Sequence, residues 1–166
     1  MIKKSDLPYE IDDDQIRELI KLANLHPNDV FYDLGSARGR VIIALAKETQ
    51  IKKAIGIEYE RELYDKARRY AHDELTIGQL KKIDFWFGNI DFEADDGDGY
   101  FYDLSDATVV YNSTDEDEDT IRHLKRLFGI KRHVKIITIT FRSWDMLPLR
   151  IAQILNVGSF SRETRQ

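Results

Sequence analysis

One stretch constrains the fold of this chain more than any other: an apolar run ending in an acid, then a glycine turn, then a helical pattern. Residues 30–34 form the run with Asp33 near its end, the turn holds Gly35 and Gly39, and the helical pattern continues to Ala46. Strand, tight turn and helix in this order begin a βαβ unit. Gly35 suits unusual dihedral angles, and Gly39 allows the helix start to pack close to the strand. We expect the amides at the helix start to point at whatever lies over the turn.

The glycine spacing and the charge of Asp33 indicate the class of ligand. The dinucleotide fingerprint G-x-G-x-x-G requires a second glycine where this chain has Ala37, so the fingerprint is not met. Asp33 stands two residues before Gly35 and would repel a pyrophosphate. A carboxylate at a strand end suits a ligand with a positive group, such as the ammonium and sulfonium of S-adenosylmethionine. The turn therefore favours a cationic cofactor and disfavours a nicotinamide enzyme.

Residues 33–39 resemble the D-x-G-x-G-x-G motif of class I S-adenosylmethionine-dependent methyltransferases, with Ala37 in place of the middle glycine. The run from Asn28 to Glu58 most resembles the non-SET protein-lysine methyltransferases, which are the histone methylases related to telomeric silencing and their small archaeal relatives. The resemblance covers about residues 8–145. It implies S-adenosyl-L-methionine as the cofactor and protein-lysine methylation as the activity.

The remaining sequence alternates strand patterns with helix patterns. Apolar residues at helical spacing predict an amphipathic helix over residues 12–24, with Asp12 as its cap. Further strands are predicted over residues 53–58, 83–87, 107–111, 134–141 and 149–157, and further helices over residues 39–48, 60–75 and 121–128. This alternation predicts a Rossmann-like α/β fold, a doubly wound and mostly parallel sheet with helices on both faces. No linker or repeat divides the chain, so we predict a single methyltransferase domain over residues 1–166.

The C-terminal end of the predicted sheet is short. The resembling family closes its sheet with an antiparallel hairpin, but residues 159–166 leave little for a seventh strand. Either the last strand is abbreviated, or the open edge is covered in another way, such as by a second copy of the chain in a homo-oligomer.

Composition excludes several function classes. The absence of cysteine and the dispersed histidines give no metal site, and no serine stands in a nucleophile turn of the G-x-S-x-G type. No apolar run is long enough for a membrane helix and the N-terminus lacks a signal-peptide core, which predicts a cytoplasmic protein without a membrane partner. The net charge of −5 argues against nucleic acid as a partner.

The candidate cofactor residues follow the predicted strands. Glu58 lies about 20 positions beyond the glycine turn, where an acid accepts hydrogen bonds from ribose hydroxyls; its alternative role is a cap for the next helix. Tyr59 either packs on the adenosine or lies on the surface. By the resemblance, Asn89 and Ile90 hold the adenine, with Asp91 as the alternative to Asn89. The turn contributes Asp33, Gly35, Ser36 and Gly39 to the same predicted site.

Two residues are predicted to position the methyl acceptor. Asn112 follows the fourth strand, where the resembling enzymes carry an Asn-containing segment beside the transferred methyl. Tyr9, next to Pro8, stands where they carry a segment that folds over the cofactor. Methyl transfer is an in-line displacement, which needs a neutral amine held about 3 Å from the methyl rather than a strong base. Asn112 and Tyr9 are therefore the predicted catalytic residues, with Tyr111 as an aromatic wall.

An acidic run over residues 115–119 adjoins Asn112 on the predicted rim of the site. These acids suit the first turn of a helix, but they also attract basic peptides and repel nucleic acid. A basic protein or peptide is therefore the expected substrate. Two alternatives stay open: a methyltransferase for small molecules or RNA, and a non-catalytic cofactor-binding or scaffold protein, for which Ala37 and Ile11 are the motivation.

Overall fold

The computed structural model describes residues 10–88, 104–112 and 134–139, and the backbone of residues 151–157. Its helices are α1 (Asp13–Ala23), α2 (Arg40–Glu48), α3 (Arg61–Glu74) and α4 (Ile77–Leu80). Its strands are β1 (Val30–Leu34), β2 (Lys53–Glu58), β3 (Ile83–Phe87), β4 (Val109–Asn112), β5 (Val134–Ile139) and β6 (Ile151–Val157). The predicted strands are confirmed with small changes at their ends. The sequence did not predict α4, which is too short for a periodic pattern. The helix predicted over residues 121–128 lies outside the described residues.

The six strands form one sheet in the order β3-β2-β1-β4-β5-β6. The first five strands are parallel to their neighbours, and β6 runs antiparallel to β5. The strand order reverses between β1 and β4, and ligands of such sheets bind in the crevice at the carboxyl ends of the strands on either side of the reversal. This topology confirms the predicted Rossmann-like fold.

Two apolar cores lie on opposite faces of the sheet, because side chains alternate along each strand. Phe31 of β1 and Tyr111 of β4 belong to the core that includes buried residues of α1, α2 and α3. Tyr32 and Leu34 belong to the core on the other face. All five residues of β1 are buried, because this strand lies in the middle of the sheet between β2 and β4.

The N-terminal helix is confirmed together with its cap. The Asp12 carboxylate accepts the backbone N–H of Gln15, and the Gln15 side chain accepts the backbone N–H of Asp12, both at 2.8 Å. This reciprocal capping box satisfies two amides that would otherwise have no partner. Within the described part of the chain, no helix is long and apolar enough to cross a membrane.

Gly39 allows three elements to meet at the start of α2. Its φ is +74°, and a Cβ there would lie 2.6 Å from the ring of Phe85 and 3.0 Å from Cβ of Ala67. Gly39 thus brings α2 close to β3 and α3, whereas the predicted close approach was to the preceding strand, β1.

Gly39→Ala is expected to lower the free energy of unfolding by about 2–4 kcal/mol, because left-handed backbone strain adds to the clash with Phe85. Urea denaturation measures the change. Gly78→Ala is the matched control, since a Cβ at this α4 position would meet only Oγ1 of Thr76, at 4.0 Å; we expect it to be neutral or to stabilise by up to about 1 kcal/mol. Equal losses in both variants would contradict this account.

Candidate functional site

Every backbone amide of the turn over residues 35–39 donates to an acceptor within the protein. The amides of Gly35 and Ser36 both donate to the carbonyl of Ile57, at 3.0 and 2.9 Å, and that of Gly39 donates to the carbonyl of Ser36 at 2.8 Å. The two remaining amides donate to carboxylates: Ala37 to Glu58 at 2.8 Å and Arg38 to Glu10 at 3.1 Å.

This turn therefore offers a ligand few amide donors. A phosphate site at a glycine turn requires free N–H groups that converge on the anion, and these five are already used. The amide of Gly39, the N-cap of α2, donates to Ser36 and not to a ligand, while the expectation for the amides of the first turn of α2 stays a prediction. What the turn offers instead is carboxylate, carbonyl and hydroxyl oxygen, which suits ammonium and hydroxyl donors.

Glu58 joins the segments around the crevice. Its carboxylate accepts the amides of Ala37 and Glu60, each at 2.8 Å, and its carbonyl accepts the amide of Gly88 at 2.9 Å. The side chain is buried, so it is not the solvated helix cap that was its alternative role. A carboxylate has about four acceptor sites, so two remain for a ligand.

Asp33 and Ser36 are buried, and each has one oxygen atom without a partner where a ligand is expected. Within the described part of the chain, Oδ1 of Asp33 and Oγ of Ser36 have no hydrogen-bond partner. Burial, with a smaller contribution from the charge of Glu58, raises the pKa of Asp33 from 3.8 to about 8. Unsatisfied buried polar groups are costly in native proteins and often mark a functional site.

A cleft above the turn brings several predicted residues together. It is lined by Glu10, Ile11, Asp33, Gly35, Ser36, Ala37, Arg40, Val41 and Tyr111. Tyr111 of β4 is the register partner of Asp33 on β1, and both side chains lie on the α1–α3 face of the sheet. Asn112 is also buried, but the alternation along β4 places it on the opposite face with Val110.

The other predicted site residues lie further from the cleft or outside the described residues. Gly39 packs against β3 and α3, and Tyr59, directly after β2, is 65% exposed. Separately, Ala37, which replaces the middle glycine of the motif, has a φ of +46°. This left-handed conformation costs about 1 kcal/mol for an alanine. Tyr9, Asn89 and Ile90 lie outside the described residues.

Sequence reasoning missed Gly56 and the contacts of Glu10 and Arg38. A Cβ on Gly56 would lie 2.7 Å from Oγ of Ser36, so this glycine makes room for the turn. Its signal was present, since a glycine inside a strand often marks a close backbone approach. The contact between Glu10 and Arg38 joins residues distant in sequence, and no local pattern predicts it.

The chain matches the family described as "Histone methylation protein DOT1" over residues 5–146. The chain belongs to this family. Its fold is that of the class I methyltransferases, and S-adenosyl-L-methionine is its cofactor. The site fits this cofactor, because the two buried carboxylates and the unpartnered oxygen atoms meet at the glycine turn.

The chain is similar to a curated lysine methyltransferase and to solved methyltransferase structures. A protein-lysine N-methyltransferase from Saccharolobus islandicus (strain REY15A) is 30% identical over 95 residues, which are 57% of this chain and 52% of that protein. This chain therefore spans about half the length of that relative. The crystal structure of an RNA methyltransferase from Salinibacter ruber with S-adenosyl-L-homocysteine is 25% identical, with a TM-score of 0.65 over 82% of each chain. A methyltransferase from Geobacter sulfurreducens shares the fold, with 19% identity and a TM-score of 0.61 over 81% of this chain and 51% of that one.

The raised pKa of Asp33 predicts that the protein loses stability as the pH rises. Asp33 ionises near 3.8 in the unfolded chain and near 8 in the fold, so the protonated form stabilises the fold and that contribution disappears between these values. We expect the melting temperature to fall between pH 5 and 9. Asp33→Asn should remove this slope and be more stable than the wild type at pH 9 by a few kcal/mol, since each tenfold difference in the acid constant corresponds to about 1.4 kcal/mol.

Asp73→Asn is the control for Asp33→Asn, because Asp73 is exposed on α3. Its melting temperature should follow the wild-type dependence on pH. An Asp33→Asn variant with the same pH dependence as the wild type would contradict the assignment of the slope to Asp33.

Proposed function

We propose that this methyltransferase transfers the methyl group to lysine side chains of a basic protein or peptide, and that residues 1–166 form one catalytic domain. The relative from Saccharolobus islandicus, a protein-lysine N-methyltransferase, supports the lysine acceptor. The acidic run over residues 115–119, which lies outside the described residues, supports a basic substrate through its charge.

One observation carries the proposed cofactor site: the amides of the turn are already used, and buried oxygen acceptors without partners lie beside them. Asp33 and Ser36 hold the amino-acid end of the cofactor beside Gly35, because a buried carboxylate without a partner suits an ammonium group. Glu58 accepts the ribose hydroxyls with the acceptor sites that its two amide bonds leave open. In this proposal Tyr59, Asn89 and Ile90 surround the adenine.

When bound, S-adenosyl-L-methionine supplies an electrophilic methyl group on a sulfonium. The protein's task is to hold a neutral amine in line with that group and to exclude water. We assign the positioning of this amine to Asn112 and to Tyr9, which lies outside the described residues. Asn112 and Tyr111 end the same strand on opposite faces, which supports an acceptor that approaches from the side away from the charged end of the cofactor.

Two alternatives are weaker. The Salinibacter ruber structure is named as an RNA methyltransferase, but the net charge of −5 disfavours an RNA substrate here. A non-catalytic role is motivated by the strained Ala37. That strain is small against the free energy of a fold, so it does not by itself prevent cofactor binding.

Binding of S-adenosyl-L-homocysteine at pH 7 is expected to release close to one proton, because the ligand's ammonium group favours the ionised form of Asp33. Titration calorimetry in phosphate and in Tris measures the release as a difference in apparent enthalpy. Asp33→Asn should bind more weakly, by about tenfold or more, and show no buffer dependence. NAD is the ligand control. If the wild type binds NAD, or binds neither ligand, the proposed cofactor site is wrong.

The acceptor is tested by transfer of tritiated methyl groups to protein, RNA and metabolite fractions. We expect label in lysines of basic proteins. Asn112→Ala should lower kcat by about 100-fold with little change in affinity for S-adenosyl-L-homocysteine, whereas Asp33→Asn should weaken that affinity. Label in RNA alone would exclude the lysine acceptor. Equal kcat values for Asn112→Ala and the wild type would exclude the proposed role of Asn112.

We also infer that β6 pairs with β6 of a second copy. In the described part of the chain, β6 pairs on one side only, with β5. The strand contains no charge and no proline, the usual protections of an edge strand. Light scattering should therefore give a dimer. Gln153→Lys with Asn156→Lys should give a monomer, while the control pair Asn28→Lys with Gln50→Lys at exposed sites should stay dimeric. A monomeric wild type would refute this pairing.

A further inference from the structure

The segment that leads into α1, including the first residue of that helix, is attached to the glycine turn and to the start of α2. We call residues 10–13 the strap. The Glu10 carboxylate accepts a hydrogen bond from the backbone amide of Arg38 at 3.1 Å. Nε of Arg38 lies 2.9 Å from each of the two carboxylate oxygens, and Nη2 of Arg38 also donates to this carboxylate. Arg40 holds the rest of the strap, through the carbonyl of Ile11 at 2.9 Å and the carboxylate of Asp13 at 2.5 Å.

The ion pair of Glu10 and Arg38 differs from an ordinary surface pair. The Glu10 side chain is only 10% exposed, while that of Arg38 is 44% exposed. Fully exposed pairs contribute little because water competes for both partners. A nearly buried carboxylate that meets a guanidinium through several hydrogen bonds is stronger and fixes geometry as well.

The strap is also a wall of the cofactor cleft. Glu10 and Ile11 line the same cleft as Asp33, Gly35 and Ser36. Arg38 lies between Ala37 and Gly39, whose φ angles are +46° and +74°. The direction of the Arg38 side chain therefore depends on the conformation of the turn that binds the cofactor, so the position of the strap and the shape of the cofactor site are coupled.

We propose that Arg38 is a positioning residue that holds the strap over the cofactor turn and thereby slows dissociation of the cofactor. This inference rests on the proposed cofactor site at Asp33 and Glu58. Arg38 touches neither the methyl group nor the acceptor in this account; it acts through Glu10 and Ile11.

The test is the dissociation rate of S-adenosyl-L-homocysteine from the full chain, measured by surface plasmon resonance. Arg38→Ala should raise this rate by about tenfold, because one multiply hydrogen-bonded charge pair with a nearly buried partner is lost. The association rate should change much less, since an opened strap does not obstruct entry. Arg38→Lys should give an intermediate rate, because a lysine keeps the charge but not the planar fork.

Arg17→Ala is the matched control. Arg17 pairs with Asp14 on α1 at 2.6 Å, with both side chains largely exposed and away from the cleft. S-adenosyl-L-homocysteine should dissociate from Arg17→Ala at the same rate as from the wild type. The exchanged variant, Glu10→Arg with Arg38→Glu, should recover part of the slow dissociation, which a general loss of folding stability would not do.

The outcomes separate the two proposals. If the wild type binds S-adenosyl-L-homocysteine and Arg38→Ala releases it at the rate of Arg17→Ala, the role of Arg38 is refuted and the cofactor site stands. If Arg38→Ala and the exchanged variant both release it equally fast, pairing with Glu10 is refuted as the cause. If the wild type does not bind it at all, the cofactor site fails and the role of the strap fails with it.

Discussion

The carboxylate of Glu58 connects the parts of this protein that have to be held together around the crevice. The two carboxylate oxygens accept hydrogen bonds from amides of the glycine turn and of the start of α3. The backbone carbonyl of Glu58 accepts the amide that follows β3. A buried charge of this kind is tolerated only because hydrogen bonds replace its hydration. The shape of the turn therefore depends on Glu58, and in the proposed site the same carboxylate also accepts the ribose hydroxyls of the cofactor.

The use of the turn amides decides what the crevice can bind. Similar strand-turn-helix units bind phosphate when their amides are free. Here the carbonyl of Ile57 and the carboxylates of Glu58 and Glu10 take up those amides. What is left facing the cleft includes Asp33, whose burial without a partner destabilises its ionised form. This cost is typical of a site that is completed by its ligand, and a cationic ligand is the kind that offsets it.

Much of the fold was predictable because its signals are local. The strand-turn-helix over residues 30–46, the cap at Asp12 and the apolar strand patterns follow from the spacing of neighbouring residues, and the structure confirms them. The closeness of Asp33 and Ser36 was also predictable, since they are three residues apart where β1 passes into the turn. Which face of the sheet carries Tyr111 and which carries Asn112 was harder to predict. It depends on the strand register, and a shift of one residue would exchange their faces.

The order of the strands and longer helices, the position of the turn and the acidic residues at the ends of the first two strands were determined by the amino-acid sequence alone. They depend on the spacing of residues close together in the chain. The three-dimensional fold was needed to establish where the turn's amides donate, that Gly56 makes room for Ser36, and that Arg38 holds Glu10 against the cleft. These contacts join residues that lie far apart in sequence. They form when the parallel strands align and bring the turn, β2 and the strap together, and no local pattern of residues encodes that approach.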